Sequence, residues 1–160
     1  MAHSAKDEQL IKQILTSAKT IAMVGVSLIK MEEPSNNIRR RPSIIVMKYL
    51  KEFGYRVIPV NPSSVGKKIH EETVVAKLED ITIPIDIVNV FRPSIEAPIF
   101  AKQAVRIRSK VLWLQYGIQN QEAQKIANSA NITYIANKCI KQEYQRLFSK
   151  VSPVFPALRS

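Results

Sequence analysis

Thr20-Ile21-Ala22-Met23-Val24-Gly25-Val26-Ser27 is the stretch on which the fold turns. It is a continuous apolar run closed around a glycine, and it reads as a strand buried on both faces, as strands of parallel sheets are. Upstream, Leu10, Ile11, Ile14 and Leu15 fall at helical spacing and predict a short amphipathic helix ending near Ser17. Downstream, residues 27–42 carry Pro34, Asn36, Asn37, Arg39, Arg40, Arg41 and Pro42, a polar and breaker-rich loop. Ser43 is a candidate cap for the helix that follows, with Ile44, Ile45, Met47, Lys48 and Leu50 at helical spacing up to a stop at Gly54. Tyr55 to Val60 is then a second strand, which completes a β-loop-α-β unit.

The alternation continues outward. Val74-Val75 reads as a short strand, Ile85 to Val90 as a buried one with Asp86 near its start, and Ile95 to Ile107 as a helix with Glu96 and Pro98 in its first turn. Val111 to Leu114 is another apolar strand, Asn120 to Ala130 an Ala- and Gln-rich helix, Ile132 to Ile135 a strand, and Glu143 to Phe148 a closing helix. Strands alternating with helices of roughly 10–15 residues predict an α/β fold: a Rossmann-like, doubly wound, mainly parallel sheet with helices on both faces. The 160 residues suit one domain over 1–148, with residues 1–9 frayed and a loosely held tail over 149–160.

Composition narrows the function classes. A hydrophobic share of 46% with 23% charged residues is an ordinary globular mixture, which excludes a disordered chain or a collagen. The single Cys139 cannot close an intrachain disulfide, and Met1 to Ser17 lacks the apolar core of a signal peptide, so a cytoplasmic location is expected. No window approaches the roughly 18 consecutive apolar residues of a membrane span. The net charge of +11 is uneven: +3 over residues 1–100 and +8 over residues 101–160, where Glu122 and Glu143 are the only acids. Such a chain attracts anions, whether nucleic acid, a membrane surface or a phosphorylated small molecule. Lys102, Arg106, Arg108 and Lys110 lack interleaved aromatic residues and any reader motif, which argues against nucleic acid.

Ligands of doubly wound sheets bind outside the carboxyl ends of the strands. Those ends are Gly25-Val26-Ser27, Asn61-Pro62, Phe91-Arg92-Pro93 and Gln115-Tyr116-Gly117, all rich in residues that turn or hydrogen-bond. A nicotinamide dinucleotide would call for G-x-G-x-x-G after the first strand and an acid at the end of the second. This chain has the single Gly25 and then Asn61-Pro62. His3 and His70 are not at strand ends, Cys139 reads as a small buried residue, and no His, Cys, Asp or Glu cluster has ligand spacing, so no catalytic and no metal site is expected. Arg39-Arg40-Arg41-Pro42-Ser43 leads into a helix start, where free N–H groups favour an anion; a phosphate site and a solvated basic turn both remain open there.

Six segments resemble a known family: Thr20 to Ser27, Arg41-Pro42-Ser43 with Val46 to Leu50, Gly54 to Pro62, Asp86 to Arg92, Trp113 to Ile118 and Cys139 to Tyr144. Together they look like the small bacterial CoA-binding proteins, similar to the CoA-binding domain of the succinyl-CoA synthetase alpha subunit standing alone, over about residues 10–148. The resemblance implies binding of coenzyme A or an acyl-CoA without catalysis, since the synthetase's phosphorylated histidine belongs to a second domain. By position it assigns Gly25, Val26 and Ser27 to the first loop, and Arg41, Pro42 and Ser43 to the phosphate-side helix start. Asn61 and Pro62 fall at the nucleotide end, Phe91 and Arg92 after the fourth long strand, and Leu114, Gln115 and Tyr116 along the pantetheine wall. The chain departs from the family pattern in a longer connection around residues 29–40, in His70 where Gly is usual, and in Lys77 where Ser is usual. An NAD(P)-binding protein and a basic nucleic-acid-binding protein are the alternatives. The apolar and Ala-rich helix faces leave room for a homodimer or for a catalytic partner chain.

Overall fold

The computed structural model describes residues 5–27 and 42–149. Among the described residues five α-helices are formed: α1 (Ala5–Ser17), α2 (Pro42–Glu52), α3 (Ala97–Arg106), α4 (Gln121–Ser129) and α5 (Ile140–Phe148). The main strands are β1 (Thr20–Val24), β2 (Arg56–Val60), β5 (Ile87–Val90), β6 (Val111–Leu114) and β7 (Thr133–Ile135), with a small hairpin of β3 (Lys68–Ile69) and β4 (Glu72–Thr73) between β2 and β5. The sheet runs β2-β1-β5-β6-β7 and every pairing in it is parallel. Val75 adds a parallel bridge to Val60 on the outer side of β2, so a third strand reduced to a single bridge flanks β2. Including it, the order is that of a Rossmann sheet, with its switch point between β1 and β5. The Val74-Val75 strand expected from sequence survives only as this bridge.

Period-two alternation divides the core into two layers. Ile21 and Met23 of β1, with Ile87, Val111 and Trp113, face α1, α2 and α5, where Ile11, Leu15, Met47, Leu50 and Ile140 meet them. Ala22 and Val24, with Val88, Val90, Leu112 and Leu114, face α3 and α4. Both faces of β1 are buried, which is why its sequence is apolar throughout and not alternating. The second layer is closed by Ala97, Ala101, Ala104, Ala123 and Ala127, all buried, whose small side chains let α3 and α4 approach the sheet and each other. The Ala-rich face that left room for a homodimer is therefore used inside the chain.

Several boundaries shift for local reasons. Helix α1 starts at Ala5, inside the segment expected to fray, because Asp7 and Glu8 suit the positive helix start and Glu8 pairs with Arg146 of α5 at 2.6 Å. Pro42 is the first residue of α2 and Ser43 lies buried within its first turn, so Ser43 is not the cap. Helix α5 begins at Ile140, one residue after Cys139, and not at Glu143. Asp86 precedes β5 and joins three segments: its carboxylate accepts from the backbone N–H of Lys19 (2.8 Å) and Thr20 (3.2 Å) and meets Lys110 Nζ at 3.5 Å. The hairpin was not anticipated. Its two-residue turn holds His70 at φ +47° and Glu71 at φ +73°, the left-handed conformations that explain why glycine suits this position.

Candidate functional site at the carboxyl ends of β1, β2 and β5

The three strands flanking the switch point end around one cleft of about 430 Å³. It is lined by Val24, Gly25, Val60, Asn61, Pro62 and Ser63, and by Ala76, Lys77, Arg92, Glu96, Phe100 and Gln103. This volume falls within the roughly 300–1,000 Å³ of small-molecule sites. Apolar surfaces from Val24, Pro62, Ala76 and Phe100 suit a flat ring, while Lys77 and Arg92 supply positive charge.

The turn after β1 is shaped by Gly25. Its φ of +93° is a conformation that side chains disfavour, and a Cβ there would lie 3.0 Å from Arg92 Cδ and 3.2 Å from the Phe91 carbonyl oxygen. The Arg92 side chain thus lies directly across the glycine. Its fork donates from Nε and Nη2 to the two carboxylate oxygens of Glu96, at 3.0 and 2.7 Å. Glu96 stands four residues on, in the turn that leads into α3, and the bond to it holds the Arg92 pKa above the usual guanidinium value. Nε and Nη2 point at Glu96; among the described residues no hydrogen bond engages the third nitrogen of the fork, Nη1, whose N–H groups suit an anion.

Asn61 lines the cleft with its side-chain amide bonded to the backbone on either side. Its Nδ2 donates to the Val26 carbonyl at 2.9 Å, its Oδ1 accepts from Ser63 N at 2.9 Å, and its backbone N donates to the Val75 carbonyl at 2.8 Å. One side chain therefore clasps the loop after β1 to the turn after β2. An acid at this strand end would hold a ribose diol, whereas Asn61 is spent on the backbone.

Of the residues singled out from sequence, Gly25, Asn61, Pro62 and Arg92 meet at this cleft. Val26 is fully buried beneath it and contributes its carbonyl to Asn61, Ser27 follows directly after Val26, and Phe91 packs against the core. Pro42 is exposed and Ser43 buried at the start of α2; Arg41 and the rest of its basic run lie outside the described residues. Leu114 is fully buried in the core, so it forms no ligand wall. Gln115 is buried too, and its Oε1 accepts from Asn89 Nδ2 at 3.1 Å and from Ile140 N at 3.0 Å, tying the end of β6 to the start of α5. Tyr116 is 75% exposed and stands on the rim of a second cleft of about 600 Å³ with Tyr134, Asn137 and Cys139.

Among the lining residues, sequence reading missed Ala76, Lys77, Glu96, Phe100 and Gln103. None stands at a strand end: Ala76 follows the single bridge, and Phe100 and Gln103 are on successive turns of α3. Phe100 and Gln103 are three apart and so share a helix face, a signal that becomes readable once α3 is known to cover β5.

Comparison with known proteins agrees with this geometry. The family model described as a CoA binding domain matches residues 19–145. The uncharacterized protein YneT of Bacillus subtilis (strain 168) is 38% identical over 134 residues, covering 82% of this chain and 89% of YneT. A solved Thermus thermophilus structure, cell-free ID.343, is 38% identical with a TM-score of 0.76, covering 88% of this chain and 98% of that one. At 17% identity and a TM-score of 0.54, RSP in complex with β-NADH shares the fold alone, over 90% of this chain and 64% of RSP. With four-fifths of its length matched by the family model and its strand ends gathered at one cleft, the chain belongs to the CoA binding domain family.

Proposed function

We propose that this protein binds coenzyme A or an acyl-CoA reversibly, without turning it over, at the carboxyl ends of β1, β2 and β5. The observation that carries the reading is the cleft at the switch point, where Arg92 lies across Gly25 and Asn61 replaces a diol-binding acid. The adenine ring packs against Pro62 and Phe100, and the diphosphate lies by Gly25 and the free side of the Arg92 fork. The pantetheine arm leaves toward the exposed Tyr116, the one residue of the expected Leu114-Gln115-Tyr116 wall with an accessible side chain.

The absence of turnover is supported by the chemistry of the lining. Among the described residues around the cleft no His or Cys appears, and its one carboxylate, Glu96, is engaged by Arg92. A nucleophile and a base within reach of each other are what acyl transfer would require. The protein then holds its ligand for storage, sensing or delivery to a catalytic partner chain.

Isothermal titration calorimetry with CoA, acetyl-CoA, NAD and NADP tests the reading. CoA is expected to give a saturable isotherm and the dinucleotides none. A clear isotherm with NAD or NADP and no heat with CoA would replace this reading with that of a dinucleotide-binding protein.

A further inference from the structure

We infer that Lys77 recognises the phosphate on the ligand's ribose, and so makes the cleft selective for CoA over its dephosphorylated form. The inference rests on the CoA reading above and adds a subsite to it. In doubly wound nucleotide sites the end of the second strand faces the ribose: an acid there holds a free diol, and a cation nearby accommodates a ribose phosphate. This chain has the second arrangement. Position 61 carries a neutral Asn whose side chain bonds to Val26 and Ser63, so no carboxylate at this position repels a phosphate.

Placement supplies the cation. Val75 pairs with Val60, the last residue of β2, and Lys77 follows two residues later on the wall of the cleft. Lys77 is exposed, and among the described residues its ammonium belongs to no ion pair. Arg92, the other cation of the cleft, is already bonded through two nitrogens to Glu96. The two cations are therefore unlike: Arg92 is a pre-oriented fork beside the glycine turn on the β5 side, and Lys77 is an uncommitted point charge on the β2 side. A ligand with a diphosphate near Gly25 and a further phosphate on its ribose places one anionic group near each. CoA has that layout through its 3′-phosphate, and dephospho-CoA lacks the second group.

The test is calorimetric titration of the full chain, wild type, Lys77→Ala and Lys77→Arg, with CoA and with dephospho-CoA. The expected result is a wild-type preference for CoA that falls about tenfold in Lys77→Ala, the scale of one lost charge-assisted contact, and is retained in Lys77→Arg. Raising salt is expected to erode the wild-type preference and to leave that of Lys77→Ala nearly flat. A preference unchanged by Lys77→Ala overturns the inference, as does equal wild-type affinity for the two ligands; in both cases the CoA reading stands. Wild type that binds neither ligand overturns both. Because the readout is a ratio of affinities for two ligands on one protein, a general loss of folding in a variant does not imitate it.

Discussion

A single missing Cβ decides how the end of the first strand meets Arg92. At Gly25 the left-handed φ and the 3.0 Å approach to Arg92 Cδ act together, so Gly25→Ala is expected to cost about 1–3 kcal/mol of stability and to push Arg92 off the loop. Urea unfolding measures the first effect and CoA titration the second; unchanged midpoint and affinity would show that the turn tolerates a side chain. Asp86 controls a different quantity. Burial works against its ionisation, but the N–H groups of Lys19 and Thr20 and the Lys110 ammonium outweigh that and hold its pKa below the ordinary carboxylate value. A group whose pKa is lowered on folding contributes stability above its unfolded pKa and loses it as pH falls through the folded one. Stability is thus expected to decline on acidification below the ordinary Asp range. Asp86→Asn, which cannot ionise, should be less stable at pH 7 and show a shallower acid decline in denaturation midpoints measured from pH 7 to pH 2.

At the scale of elements, the β3–β4 hairpin is the piece whose local sequence disagrees most with its conformation. A two-residue turn with both residues at positive φ favours Asn-Gly, yet it holds His70 and Glu71. The His70 carbonyl accepts from Lys51 Nζ of α2, and Arg56 Nε of β2 reaches Glu72 at 3.3 Å, so contacts outside the turn hold it in place. Glu71 is exposed with φ +73°, and Glu71→Gly is expected to stabilise the protein by up to about 1 kcal/mol, read as a raised urea midpoint. A lowered midpoint would mean that glycine's freedom in the unfolded chain outweighs the relief of strain. Helix α5 shows the opposite case, where local sequence and packing agree. Its Tyr144 sits among the rings of Tyr49, Phe53, Tyr55 and Phe148, with centroids 4.8–6.0 Å apart. Trp113 Nε1 also donates to the Lys138 carbonyl just before the helix.

For the whole molecule, a ligand that binds only the folded chain must raise its stability. At about 100 times its dissociation constant CoA adds roughly 2.7 kcal/mol, which for a chain of this size is expected to lift Tm by about 5–10 °C. Differential scanning fluorimetry with and without CoA checks it, and no shift at saturating CoA would contradict binding to the native state. The positive excess of residues 101–160 is partly internal: Arg106 pairs with Glu79, Lys110 with Asp86, and Arg146 with Glu8 and Glu143. Three of these four carboxylates lie in the first hundred residues, so part of the local excess is offset across the fold while the chain as a whole keeps its net charge of +11. No described helix is long and apolar enough to cross a membrane. The sequence by itself determined the α/β class, the existence and type of the principal helices and strands, and the strand ends that border the cleft. Apolar runs, helical spacing and turn residues are local signals, and each of those features is set locally. Only the tertiary structure decided that Gly25, Asn61, Pro62 and Arg92 share a cleft with Ala76, Lys77, Glu96, Phe100 and Gln103, and that Leu114 and Gln115 turn inward. It did so because a cleft wall and a buried hydrogen bond are made by residues distant in sequence, whose meeting depends on strand order and helix placement that no local pattern encodes.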